Sequence, residues 1–226
     1  MARGTVIEDY VTSLGRRLAG PHRSKRDLVT EARDSLIDAA DALERDGLSR
    51  REAELAAVEE FGTVKEIAPE YQRELATGAG RRLGLVLFLT VPISAVMWSV
   101  IWKIFPTDPV DLANRPEWFV PTARAVDILQ LLSGVAGALA MVLLGRGVRR
   151  FHRPERITGA LGVFVWAMLP VMLVLCSALM FGSNGPHGFA DYPPGVGLSW
   201  VSAIFMTMQL YTACRCLQTA RRTARA

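Results

Sequence analysis

Residues 81–103 read Arg-Arg-Leu-Gly-Leu-Val-Leu-Phe-Leu-Thr-Val-Pro-Ile-Ser-Ala-Val-Met-Trp-Ser-Val-Ile-Trp-Lys. Between Arg82 and Lys103 stand twenty residues without a charge. That is the length a helix needs to cross a hydrocarbon core of about 30 Å. Three further segments share this character, so the expected spans are 83–105, 125–144, 157–181 and 198–217. Asp127 lies close enough to the start of the second span to stay hydrated. The fourth is the most polar, diluted by Ser199, Ser202, Thr207, Gln209 and Thr212. The fold class this predicts is all-α: a small cytoplasmic helical domain (1–78), a joint (79–82), a four-helix transmembrane bundle (83–217) and a basic cytoplasmic tail (218–226).

Charge divides the chain at the same place. Residues 1–78 hold 12 Lys/Arg against 16 Asp/Glu, net −4, whereas residues 79–226 hold 14 against 6, net +8. The overall pI of about 9.2 therefore describes neither half. An acidic soluble half repels phosphate, which argues against direct nucleic-acid binding. The basic excess instead flanks the apolar runs. Arg81 and Arg82 precede span one, Arg146, Arg149, Arg150, Arg153 and Arg156 fill the turn between spans two and three, and Arg215, Arg221, Arg222 and Arg225 follow span four. The loop 106–124 has only Arg115 and Arg124, and 182–197 has no Lys or Arg. Lys and Arg gather on the cytoplasmic side of membrane proteins, so four spans place both termini in the cytoplasm of a multi-pass cytoplasmic-membrane protein. Trp98, Trp102, Trp118 and Trp200 suit the opposite interface. The opening residues lack the apolar core of a secretory signal, so the first span is expected to target the chain.

Within the spans, Pro92 and Pro170 should bend their helices, and Thr90 and Ser94 can serve the carbonyls the prolines free. Span two carries Ser133, Gly134, Gly137 and Ala138, small residues at spacings that let a neighbouring helix approach closely. Packing inside the bundle and a homo-oligomer interface both use such a face. No charge lies near a span centre, which disfavours an ion or proton path.

The first 78 residues are sharply punctuated. Ile7, Tyr10, Val11, Leu14 and Leu18 recur at helical spacing, and Gly20-Pro21 breaks the chain. A long helix follows to about Asp46, with Leu28, Ala32, Leu36, Ala39, Ala40 and Leu43 on its inner face and Gly47 as its stop. Ser49 with Glu52 forms a capping box, the helix it opens ends at Phe61-Gly62, and Thr63 with Glu66 forms a second box. The last helix carries Val64, Ile67, Ala68, Tyr71 and Leu75, and Thr77-Gly78-Ala79-Gly80 reads as a flexible joint. A core this small is marginal, and a partner or self-association would add burial.

The pattern Gly47-Leu48-Ser49-x-x-Glu52-Ala53, then Phe61-Gly62 and a helix with Tyr71, resembles the bacterial HAAS or permease-prefix domain over residues 5–76. In that family the domain precedes membrane helices, and some members continue into a large permease. This chain is similar to the stand-alone membrane members, which implies association with a PadR-like transcription regulator. The resemblance and the two capped helices together mark Gly47, Ser49, Glu52, Phe61, Gly62, Ile67 and Tyr71 as the domain motif and a docking surface.

Chemistry is sparse. His22, His152 and His187 are scattered, and Cys176, Cys214 and Cys216 lack metal-ligand or disulfide-framework spacing. Asp34, Asp38 and Asp41 share a helix face that reads as solvated. No phosphate cradle, nucleophile elbow or zinc helix is present, so neither enzyme activity nor a cofactor is expected. The reading is a membrane-anchored regulatory or signalling protein whose soluble domain docks a cytoplasmic partner, a transcription regulator. The alternative is an accessory subunit of a membrane transporter.

Overall fold

The computed structural model describes residues 5–105, 116–146, 154–184 and 193–223, and the described residues contain helices and no strand. Seven helices follow in order: α1 (Val6–Arg17), α2 (His22–Arg45), α3 (Arg50–Phe61), α4 (Val64–Ile104), α5 (Phe119–Arg146), α6 (Pro154–Asn184) and α7 (Pro193–Thr223). They form two compact units, one of Met1–Ala79 with Gln218–Ala226 and one of Gly80–Leu217.

The first unit is built on the expected stripes. Ile7, Tyr10, Val11, Leu14 and Leu18 are all buried, as are Ala32, Leu36 and Ala40 of α2. Alanines at the contact positions of α3, Ala53 and Ala57, let that helix come close, and Ala68 and Leu75 of α4 complete the core. Hydrogen bonds close the start of α1 and the end of α2. Thr5 accepts from the Glu8 amide at the start of α1. The amides of Gly47 and Leu48 donate back to the carbonyls of Glu44 and Leu43, with Gly47 at φ 103°. That pairing closes α2 in a Schellman arrangement.

Two buried polar side chains tie the helices together, and periodicity alone gives neither. Glu54, only 4% exposed, accepts from the Val6 amide at 2.9 Å and so caps α1 from α3. Gln72, 3% exposed, grips Ala19 from α4. Its amide oxygen accepts from the Ala19 N–H at 2.8 Å and its amide nitrogen donates to the Ala19 carbonyl at 2.7 Å. The turn between α1 and α2 is thereby held without secondary structure of its own.

The backbone is helical from Val64 to Ile104, through Thr77–Gly80 where a joint was expected, and the boundary between the two units falls at Ala79/Gly80. A single glycine in a helix costs only about 1 kcal/mol, and Gly80 is needed for packing. A Cβ at that position would lie 2.6 Å from Leu144 and 2.7 Å from the Thr158 hydroxyl. With Gly84, Gly80 forms a Gly-x-x-x-Gly pair on the bundle side of the helix.

In the second unit four helices are long and apolar enough to cross a membrane, as expected. Only 11–22% of each apolar window is buried inside the protein. Leu85, Phe88, Leu89, Ile93, Val96 and Val100 of α4 are among the side chains left exposed. Surfaces of that extent need lipid as their solvent, which makes this a membrane protein. The fourth span has the lowest mean hydropathy, 1.2 against 2.1–2.4 for the others.

Small residues set the packing. A Cβ on Gly137 would stand 2.8 Å from the Leu87 Cβ and 2.9 Å from the Gly84 carbonyl, and one on Gly84 would stand 2.9 Å from the Gly137 carbonyl. Gly134 lies against Val91 in the same way, at 3.6 Å. The small face of span two is therefore covered by α4 of the same chain. Gly162 is packed against Leu217, and the Cys216 thiol donates to the Thr158 carbonyl at 3.2 Å. Two side-chain bonds cross between α4 and α7: Trp98 Nε1 donates to Ser202 at 3.1 Å, and Gln209 Nε2 donates to the buried Thr90 hydroxyl at 2.7 Å. Thr90 itself donates to the Val86 carbonyl. It therefore does not serve the carbonyl that Pro92 frees, which belongs to Phe88 four residues before it.

Candidate docking surface

The motif residues fall into two groups once their contacts are known. Ser49 and Glu52 make the first capping box: Glu52 accepts from the Ser49 amide at 3.1 Å and from its hydroxyl at 2.6 Å. Glu66 does the same for Thr63, at 2.9 and 2.7 Å. These bonds stabilise the carboxylates and hold both Glu52 and Glu66 below the usual carboxylate range. All four side chains are exposed, so the boxes define helix starts without closing off a site.

Phe61, Gly62, Ile67 and Tyr71 gather on the inner side. Gly62 has φ 101° and ψ 165°. The φ is positive, but ψ places it in the extended region that glycine alone enters freely. Tyr10 fixes this stop twice. Its hydroxyl donates to the Gly62 carbonyl at 2.8 Å, and its ring meets Phe61 edge-on with centroids 5.9 Å apart. Burial, with Tyr71 and Glu66 nearby, raises the Tyr10 phenol above its ordinary value. Phe61 is half-buried and packs against the core. Ile67 lies over Gly62 and Tyr71 packs on the core. These residues are largely spent on the fold.

The surface that remains lies on the other side of α3. Leu48 and Leu55 are the large aliphatic side chains the domain leaves exposed, at 37% and 50%. Glu52 and Glu59 are exposed at helical spacing from Leu55. The phase of α3 could have shown this: Leu55 sits two residues from Ala53 and two from Ala57, about 200° round the helix from each buried alanine. Arg50 braces the root of the face. It pairs with Asp41, with Glu44 at 3.2 Å and with Glu54 at 3.1 Å, and these acceptors raise its already high pKa. Asp41 thus belongs to a structural ion-pair network, while Asp34 and Asp38 are exposed.

Of the arginines expected to set topology, Arg81, Arg82 and Arg156 are exposed and Arg146 is the last residue of α5. Arg149, Arg150 and Arg153 lie outside the described residues. Among the described residues, no group of His, Cys, Asp and Glu is arranged to hold a metal ion.

A short helical head followed by four membrane-capable helices is the class of protein this fold defines. Residues 9–70 match the HAAS family model, from inside α1 to the second turn of α4. The match takes in Gly47, Ser49, Glu52, Phe61, Gly62 and Ile67 and stops one residue short of Tyr71. Comparison with curated proteins and with solved structures gives no match.

Proposed function

We propose that this chain is a membrane-anchored, non-enzymatic regulatory adaptor whose HAAS-like domain docks a soluble cytoplasmic protein, with a transcription regulator as the expected partner. The observation that carries the reading is the exposed face of α3. Leu55 flanked by Glu52 and Glu59, with Leu48 exposed just before the helix, gives a partner an apolar anchor and a charge to recognise. The polar groups buried in the domain, Glu54 and Gln72, are occupied in joining helices. The partner carries a basic surface against the domain's net −4.

Pull-down of the full chain in detergent against the purified candidate regulator tests this. Retention should be lost on replacing Leu48 and Leu55 with Asp, and on removing residues 1–79, and should weaken as salt rises. Retention by a chain beginning at Gly80 would move the contact to the membrane helices and favour a transporter subunit instead.

A further inference from the structure

The domain's net charge conceals a strong polarity. From Arg16 to Arg26 the chain carries Arg16, Arg17, Arg23, Lys25, Arg26 and His22 and no carboxylate. Residues 27–78 hold 6 Lys/Arg against 14 Asp/Glu, net −8. Elsewhere in the domain Arg33 and Arg50 form ion pairs with carboxylates, and the cations that do not, Arg45, Arg51, Lys65 and Arg73, are spread among carboxylates along the chain. At this corner Arg16, Arg17, Arg23 and Lys25 form no ion pair among the described residues, and Arg26 only approaches Asp27 at 3.9 Å with both side chains largely exposed. The arrangement is also locally unfavourable. Cations open α2, where the helix dipole repels them, and Pro21 gives no side-chain cap. Arg16 and Arg17 sit in the last turn of α1, where the dipole favours them, but helix stability does not account for Arg23, Lys25 and Arg26.

Their location does suggest a use. The corner is tied to α4 by the two Gln72–Ala19 bonds, and Gly20 lies against Leu75, whose methyl groups would be 3.4 Å from a Cβ there. Leu83, where the first apolar run begins, is only eight residues beyond Leu75. That is about 12 Å along a helix and at most about 29 Å of fully extended chain. Arg16, Arg23 and Arg26 line one open groove with Val11, Gly15 and Val29, so the charges converge on a shared surface.

We propose that this α1–α2 corner is a binding surface for the anionic phospholipid headgroups of the bilayer that the chain spans. Each Lys or Arg brought to an anionic membrane strengthens attachment about fivefold. The tether holds the corner near that surface without the cost of recruiting a free ligand. An acidic protein or nucleic acid is a poorer fit, because an extended partner would also meet residues 27–78, which are net −8. A planar bilayer meets only the corner turned towards it. The assignment is independent of what the α3 face binds.

The domain's two lysines make the test simple. Lys25 lies in the corner, and Lys65 is exposed on α4 in an acidic surrounding. The full-length protein is placed in nanodiscs of phosphatidylcholine, with or without one-third phosphatidylglycerol, and labelled briefly with a water-soluble amine reagent. Mass spectrometry reads the Lys25/Lys65 labelling ratio. Phosphatidylglycerol should lower the ratio by about fivefold or more, and high salt should restore it. The drop should vanish in a variant combining Arg16→Gln, Arg17→Gln, Arg23→Gln and Arg26→Gln. It should persist in an Arg45→Gln, Arg51→Gln variant, which removes cations elsewhere. A ratio that does not change with lipid composition overturns the proposal. So does a ratio that falls on adding polyglutamate to neutral discs but ignores phosphatidylglycerol, which would assign the corner to an acidic polypeptide.

Discussion

Replacing Gln72 with Leu keeps the size of the side chain and its burial but removes both bonds to Ala19. The amide is 3% exposed and makes two short hydrogen bonds, at 2.8 and 2.7 Å, to a backbone N–H and a backbone carbonyl with no helical partner. A buried polar group left without a partner costs about 1–3 kcal/mol. Ala19 is half-buried, so water can reach it in part and each group falls towards the lower end. The total is then about 2–3 kcal/mol, equivalent to a 30- to 150-fold rise in the local opening equilibrium. A domain of this size is stabilised by only about 4–12 kcal/mol, so the loss would be a substantial fraction. Hydrogen exchange of the full-length protein in nanodiscs reads it directly, at the amides of Leu18–Gly20 against those of Ala53–Ala57. A change smaller than about threefold would show that water replaces the clasp at little cost and would refute the view that Gln72 holds the turn.

Gly62→Ala should cost about 1–3 kcal/mol, because φ 101° with ψ 165° is strained for any side chain; an unchanged thermal midpoint would show that the Phe61-Gly62 stop can relax. Gly137→Ala should destabilise the bundle by about 1–3 kcal/mol through its 2.8 Å clash with Leu87, read as a lower denaturant midpoint in detergent with the head domain's exchange unaltered. Glu52 and Glu66 have folded pKa values below their ordinary ones, so they stabilise the folded state above the usual carboxylate range. That contribution is lost as pH falls through the lowered values; acid titration should fray the starts of α3 and α4, and Glu52→Gln with Glu66→Gln should flatten the profile. Reporter fusions after Leu75 and at Ala226 should both report cytoplasm and one near Gly185 the outside; an external C-terminus would remove a span.

The architecture was legible because two signals are local and strong. Uncharged runs of about twenty residues identify spans without knowledge of the neighbours, and Ser-x-x-Glu or Thr-x-x-Glu followed by helical periodicity marks a start. What could not be read depends on what faces what. Gly80 looks like a hinge in sequence, and only Leu144 and Thr158 opposite it show why a side chain there would clash. Glu54 and Gln72 are polar at buried positions, so periodicity assigns them to the surface. Their partners, Val6 and Ala19, lie 48 and 53 residues away. The exposed leucine of α3 escaped the sequence reading for a related reason. Phe61 and Tyr71 attract attention as aromatics, whereas the exposed leucine of α3 is recognised only once Ala53 and Ala57 are known to face the core. The basic corner was hidden by averaging charge over the whole domain.

The Gln209–Thr90 bond bears on how the protein is made. The two residues are 119 positions apart, so α4 leaves the ribosome and enters the bilayer long before α7 is synthesised. The dependence between them runs one way. Thr90 already satisfies its own hydroxyl hydrogen on the Val86 carbonyl, and α4 can wait in lipid without an orphaned donor. The last helix has the lowest mean hydropathy and brings a glutamine amide that lipid cannot solvate. The first membrane helix thus offers an acceptor to the last. The order of synthesis, N-terminus first, lets the more polar segment arrive when its acceptor is already in the membrane.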